Sequence, residues 1–280
     1  MTLSALQDMM RLLARQLTMI RIVRYGVLGL LLAGFLGASF TTQEWARQTT
    51  VLVSVAALVA WVILLIGTTR LTREVQTGSL LLSTGQLDEA EVWLKRAIER
   101  FSLSIQGKIY ACMELASLFV RQERYVEVAA VCRTVLRQPL KRLRHVFVSA
   151  RLMLADSLLE LNQLNEAYEA IRPVYDEELS LHDRMRLLPI ELRYALAVDR
   201  PDTAVESLEE KVRIAELLDS RQAALVHALL AEACRRRNLS DKQAFFTKRA
   251  KLYHDLEPLS KRFSVITPLL EGTTGASENT

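Results

Sequence analysis

The chain has 280 residues, half of them hydrophobic, with 10 Gly and 6 Pro, a composition that favours helix throughout and leaves few alternating runs for a sheet. The formal net charge of +4 is concentrated at the start: residues 1–25 hold Arg11, Arg15, Arg21 and Arg24 against Asp8, while Glu44 and Arg47 cancel within residues 26–69. The remainder is nearly neutral, which excludes the concentrated basic footprint of a nucleic-acid binder.

In chain order, residues 1–25 form a basic amphipathic segment. Leu3, Leu6, Met9, Met10, Leu13, Leu17 and Ile20 recur at helical spacing with arginines opposite, a pattern suited foremost to a helix in the lipid headgroup region and, as the alternative, to a cytosolic helix packed on the repeats. Residues 26–43 and 48–69 are free of charge. At 1.5 Å per residue they reach roughly 27 and 33 Å, about the thickness of a bilayer core. The expectation is a transmembrane helical hairpin over residues 26–69. Gly29, Ala33 and Gly37, with Ala56 and Ala60, repeat small residues every fourth position and are candidates for close packing of the two spans. Four arginines precede the first span and Arg70 and Arg73 follow the second. That asymmetry predicts both termini in the cytoplasm. A cleavable signal peptide fits less well, because the region before the apolar stretch is long and a second stretch follows at once.

Residues 70–256 read as stacked helical hairpins. Small residues open each second helix at Ala90, Ala129, Ala167, Ala204 and Ala244, at intervals of 39, 38, 37 and 40 residues. A steady period in this range marks an array in which each hairpin buries its face on the next. Gly85 marks the first turn. Pro201 suits the first turn of a helix, Ser240 with Gln243 suggests a capping box, and Pro139 marks a break. Pro173 and Pro189 fall inside expected helices and predict a kink or a late start.

These hairpins resemble tetratricopeptide (TPR) repeats. Gly78, Leu81, Gly85, Ala90, Leu94 and Ala97 occupy that motif's small and apolar positions in the first repeat, and Ala155, Leu158, Ala167 and Ile171 do so in the third. The period exceeds the family's usual 34, and most of its aromatic and proline positions are missing. The fold expectation is all-α: a two-helix transmembrane hairpin followed by an α-solenoid of about five TPR-like hairpins. A membrane anchor before such repeats is similar to bacterial inner-membrane assembly factors. In residues 257–280, Phe263, Val265 and Ile266 are placed to cover the last hairpin, and the tail from Glu271 has nothing to bury.

No catalytic motif emerges. His145, His182, His227 and His254 are far apart, Cys112, Cys132 and Cys234 lack zinc-ligand spacing, and no phosphate loop occurs. The expectation is no enzyme, no cofactor and no metal. The resemblance implies a working surface along the first helix of each hairpin, and carries its inward positions onto Glu114, Arg121, Gln122, Ser149, Asp156, Glu160, Arg186, Arg193 and Arg236. Basic clusters at Arg137, Lys141, Arg142, Arg144 and His145, and at Arg235 to Arg237, read as solvated turns or as contacts for anionic lipid or an acidic partner. The function expected is a scaffold anchored in a bacterial inner membrane, with its repeats cytoplasmic. It would touch membrane lipid and no nucleic acid, and would recruit partner proteins to a membrane-associated complex. The alternative is an accessory subunit of a transporter or secretion complex, assembled through the two spans.

Overall fold

The computed structural model describes residues 3–40, 44–138 and 143–269, and among these every regular element is helical. The chain divides into two units, Met1–Pro139 and Leu140–Thr280.

The first unit opens with two long helices, α1 (Leu3–Phe40) and α2 (Glu44–Ser83), followed by α3 (Leu87–Glu99), α4 (Ile105–Arg121) and α5 (Tyr125–Leu136). Neighbours in sequence pack together, and α1 also lies against α3 and α5. The apolar stripe of α1 is therefore part of a protein core: Leu6, Met9, Leu13, Leu17 and Ile20 are all buried, while Arg11 and Arg15 face solvent. This corrects the expectation of a helix in the headgroup region. The stripe that would face acyl chains faces α3 and α5 instead.

The expected membrane hairpin is also corrected. Among the described residues no helix is long and apolar enough to cross a membrane. The charge-free stretches are not elements of their own. Residues 26–40 are the last turns of α1 and residues 48–69 an inner portion of α2, and the remaining turns of both helices belong to the repeat unit, through the stripe of α1 and through Leu71 and Leu82 of α2. Localisation in an inner membrane, and assembly through two spans, lose their basis with it. Gly29 has nothing within 4 Å of an added Cβ, and Ala33 and Ala56 are exposed, so these three make no helix-packing face. The side chains of Gly37 and Ala60 lie outside the described residues.

Residue 78 is where close approach does occur. A Cβ on Gly78 would sit 2.8 Å from Leu94 Cγ and Cδ2, so the absent side chain lets α3 lie against α2. The first helix of the first hairpin is the end of the 40-residue α2. Its turn is set by Gly85, at φ 83°.

That turn recurs. Glu123, Asn162, Asp199 and Asn238 have φ between 53° and 58°, and with Gly85 they fall 37 to 39 residues apart. After each, the next residue's N–H reaches back five residues: Gln86 to Leu81 O, Arg124 to Phe119 O, Gln163 to Leu158 O, Arg200 to Ala195 O and Leu239 to Cys234 O, all at 2.8 or 2.9 Å. This is the Schellman closure of a helix C-terminus, repeated at each hairpin turn.

The second unit contains α6 (Arg144–Glu160), α7 (Leu164–Ile171) with a 3₁₀ turn at Arg172–Val174, and α8 (Leu181–Ala197). It continues with α9 (Pro201–Val205), α10 (Leu208–Ala215), α11 (Ser220–Arg236), α12 (Ser240–Tyr253), α13 (Leu256–Arg262) and a 3₁₀ turn at Ser264–Ile266. Pro173 ends α7 after eight residues by tightening the chain into its 3₁₀ turn. Pro189 lies inside α8, which runs from Leu181 to Ala197 as one helix, so no late start occurs there. α8 begins at a capping box between Ser180 and Asp183. The box expected at Ser240 is absent, because Leu239 is the N-cap of α12 and no side chain caps it. Ala90, Ala129, Ala167 and Ala204 are buried, but Ala244 is exposed, and the α12 contact is made by Phe246 and Ala250. α11 is the core helix of this unit, with every residue from Ala223 to Cys234 buried. Ile266 and Leu269 join that core from the C-terminal segment. Pro139, Lys141, Arg142 and the tail from residue 270 lie outside the described residues.

Candidate interaction surface

The first helices of the hairpins are α2 and α4 in the first unit and α6, α8 and α11 in the second, and within each unit their polar residues are tied to one another about one repeat apart. In the first unit Arg121, at the end of α4, donates to Leu82 O near the end of α2 at 2.6 Å. In the second unit Arg186 of α8 donates to Ser149 Oγ of α6 at 2.8 Å. Arg193 bridges Asp156 at 2.5 Å and Glu160 at 2.7 Å. Arg236, at the end of α11, donates to Leu196 O of α8 at 2.8 Å and pairs with Asp199 at 3.2 Å. An arginine on one first helix thus reaches the previous first helix again and again. A guanidinium suits the task, since its fork can serve two oxygens at once.

Eight of the nine positions predicted for the inward face take part in such bonds, and Gln122 in a local one. Glu114 accepts a hydrogen bond from Ser79, and burial holds its carboxyl above the ordinary range against that bond. Gln122 accepts from Arg124 Nη1 at 2.9 Å. Burial also raises Glu160, although Arg193 opposes it. The structure brings Ser149, Asp156, Glu160, Arg186 and Arg193 together in the second unit, and places Glu114, Arg121 and Gln122 in the first. Their chemistry is foremost that of holding adjacent repeats in register. The basic cluster at α11 is likewise paired rather than solvated. Arg235 and Arg236 clamp Glu232, which has no exposed surface, and Arg237 pairs with Asp202. Burial works to raise Glu232, but hydrogen bonds from the two arginines outweigh it and hold the carboxyl low. Arg144 pairs with Glu177 at 2.5 Å.

Three features have no counterpart in the sequence reading. Lys108 is fully buried, and its Nζ donates to Gln16 Oε1 at 2.9 Å and to Ala97 O at 3.1 Å, with Ile98 O and Arg100 O as further acceptors. It closes the carboxyl end of α3. His227 is buried in α11 between the rings of Phe246 and Tyr253, at 5.9 and 5.5 Å, and neither ring nitrogen has a hydrogen-bond partner. The third is a cavity of about 350 Å³ in the second unit, walled by Tyr168, Tyr175, Tyr194, Glu191 and Lys211. It lies where the second helix of its hairpin breaks into α9 and α10 at Ser207, a non-glycine residue at φ 50°. A lysine after Gly107 or a histidine within Leu-Val-His-Ala carries no pattern that would have marked it. The three tyrosines are spread over residues 168–194 and meet only through packing.

No family model and no curated protein matches the chain. Among solved structures, it is similar to a crystal structure from Podosopora anserina of nearly identical TPR-like repeats, described as a kinesin light chain. The identity is 20%, the TM-score 0.51, and the match covers 66% of this chain and 94% of that one. The likeness is one of fold: all-α, TPR-like helical repeats.

Proposed function

We propose that the chain is a binding scaffold that recruits partner proteins through the first helices of its TPR-like hairpins, and that it is not an enzyme. The observation that carries this reading is the succession of arginine ties between first helices. They hold those helices in fixed register, so a partner would meet a surface whose ordering cost is already met. The tied residues keep polar atoms at the surface, with Arg121 exposed and Asp156, Arg186 and Arg236 partly so. Mixed charge of this kind suits an extended or helical segment held by polar contacts. The fold of the Podosopora anserina repeats supports a repeat scaffold, while the partner remains a protein named by its class alone.

Photo-crosslinking amino acids placed at Tyr110 of α4 and Arg221 of α11 test the reading against Val92, Val126 and Leu252 on second helices, all five being exposed. Partner adducts concentrated at the first two positions are expected. Equal labelling at all five, or adducts at the second helices alone, would overturn it.

A further inference from the structure

We propose that the tyrosine-walled cavity of the second unit receives the guanidinium of an arginine side chain carried on a basic peptide. The site is separate from the first-helix residues discussed above, since it opens between α8 and the hairpin's second-helix elements. The inference rests on the reading of the chain as a protein-binding scaffold and adds a surface and a partner chemistry to it.

The walls match that group. Tyr168 and Tyr175 leave 43% and 54% of their surface exposed. Tyr168 is stacked on Tyr194, with centroids 5.8 Å apart. Aromatic faces attract a planar cation, and a guanidinium stacks on them better than an ammonium does. Glu191 lines the same cavity, hydrogen-bonded to Tyr175. A carboxylate accepting both arms of a guanidinium gives the cation an orientation as well as a counter-charge. Burial raises the Glu191 carboxyl despite that hydrogen bond and the nearby charge of Lys211, so an added guanidinium would stabilise its charged form.

The cation already present acts on Glu191 through its charge, while its hydrogen bonds go elsewhere. Lys211 Nζ donates to Thr203 O at 2.6 Å and Ala204 O at 3.1 Å, closing the carboxyl end of α9. A second cavity of about 320 Å³ shares Tyr175, Glu191, Ser207 and Lys211 with the first, and adds Glu177, Glu178 and Glu210. Counting both linings, Glu206 included, five carboxylates stand against Arg184, Arg200 and Lys211, with Arg144 pairing from outside with Glu177 and Glu178. The two cavities adjoin at these shared residues, so residues flanking the bound arginine would meet the carboxylates of the second. Ser207, strained at their shared wall, belongs to the break that opens the space, and such strain gathers at binding sites.

The test uses the full chain and a fluorescein-labelled nonapeptide bearing three arginines. A second peptide with the arginines replaced by glutamine, and free N-acetyl-arginine methylamide as competitor, complete the probes. Anisotropy is read on the unsubstituted protein, on E191Q and on Y168A/Y175A, with helix content by circular dichroism confirming that each variant is folded. Binding of the arginine peptide, lost for the glutamine peptide and weakened at least tenfold by E191Q, is the expected result. The competitor separates the sources. Weaker binding of the free amide than of the peptide supports the peptide, and equal affinity would overturn the peptide while keeping the guanidinium. Affinity unchanged in E191Q, or no binding to either probe, would overturn the site. Failure here leaves the first-helix crosslinking result standing, because the two experiments share no residue.

Discussion

Lys108 and Gln16, 92 residues apart, meet at 2.9 Å through Nζ and Oε1, and through them α1 is joined to the carboxyl end of α3. Gln16 Nε2 in turn donates to Glu99 O at 2.7 Å. The pair gives partners to carbonyls that the last turn of a helix leaves open. Replacing Lys108 by Met takes the Nζ donor from Ala97 O, Ile98 O, Arg100 O and the Gln16 amide oxygen, while Glu99 O keeps Gln16 Nε2. Such a loss costs about 3–5 kcal/mol. Gln16→Ala removes only the outer link and costs about 1–2 kcal/mol. Urea unfolding of the two variants checks the order, and equal stability would refute the role given to Lys108.

Arg193 serves two carboxylates and also lies 4.7 Å from the ring of Phe263, whereas Arg186 serves a hydroxyl. Arg193→Ala therefore leaves partly buried Glu160 beside Asp156, two like charges with only the more distant charge of Arg262 to oppose them. The expected cost is about 2–3 kcal/mol, against about 1 kcal/mol for Arg186→Ala. A double-mutant cycle of Arg193→Ala with Glu160→Gln should give a coupling above 0.5 kcal/mol or so. Additivity would show the bridge to be incidental.

Burial, with the charge of Arg249 adding to it, pushes the His227 imidazole down to about 4, against a smaller pull from Glu216. The unfolded chain takes up a proton near pH 6.5, so the contribution of neutral His227 is complete above that pH and is lost as pH falls toward 4. The loss amounts to about 3 kcal/mol. His227→Phe keeps the ring between Phe246 and Tyr253 and removes two unpartnered nitrogens. The difference in unfolding free energy between this variant and the parent should widen from pH 7.5 to pH 4. A constant difference would disprove it.

Glycine at residue 78 serves packing rather than turning. Gly78→Ala forces Leu94 aside and should destabilise by about 1–2 kcal/mol, in spite of alanine's better helix propensity. Gly29→Ala, with open space at its Cβ, should be neutral or stabilising by about 0.5–1 kcal/mol. Thermal unfolding of both separates the two positions.

Glu123 holds the left-handed turn position that glycine, asparagine or aspartate holds in the other hairpins. Glu123→Gly should raise stability by about 0.5–1 kcal/mol, since a Cβ is disfavoured there. A loss of stability would mean that the Glu123 side chain has a contact worth more than the strain.

Much of the repeat class was legible in the sequence. The recurrence of Ala90, Ala129, Ala167 and Ala204, the glycine at residue 85 and the prolines at residues 173 and 201 act within a few residues of themselves. Helix periodicity and turn chemistry are local properties, and an array repeats them. The sequence by itself therefore determined that the chain is all-α and built of successive hairpins. The direction in which each side chain would be used was another matter. The stripe from Leu6 to Ile20 is the same stripe whether it meets lipid or α3 and α5, and only packing chose between them. The arginines expected to face a partner first meet Ser149, Asp156, Glu160 and Leu196, residues 33 to 40 positions away. Lys108, His227 and the three tyrosines about Glu191 likewise acquire their surroundings from distant helices. Those surroundings are decided by tertiary structure, because burial and charge pairing belong to residues that meet in space, whatever their separation along the chain.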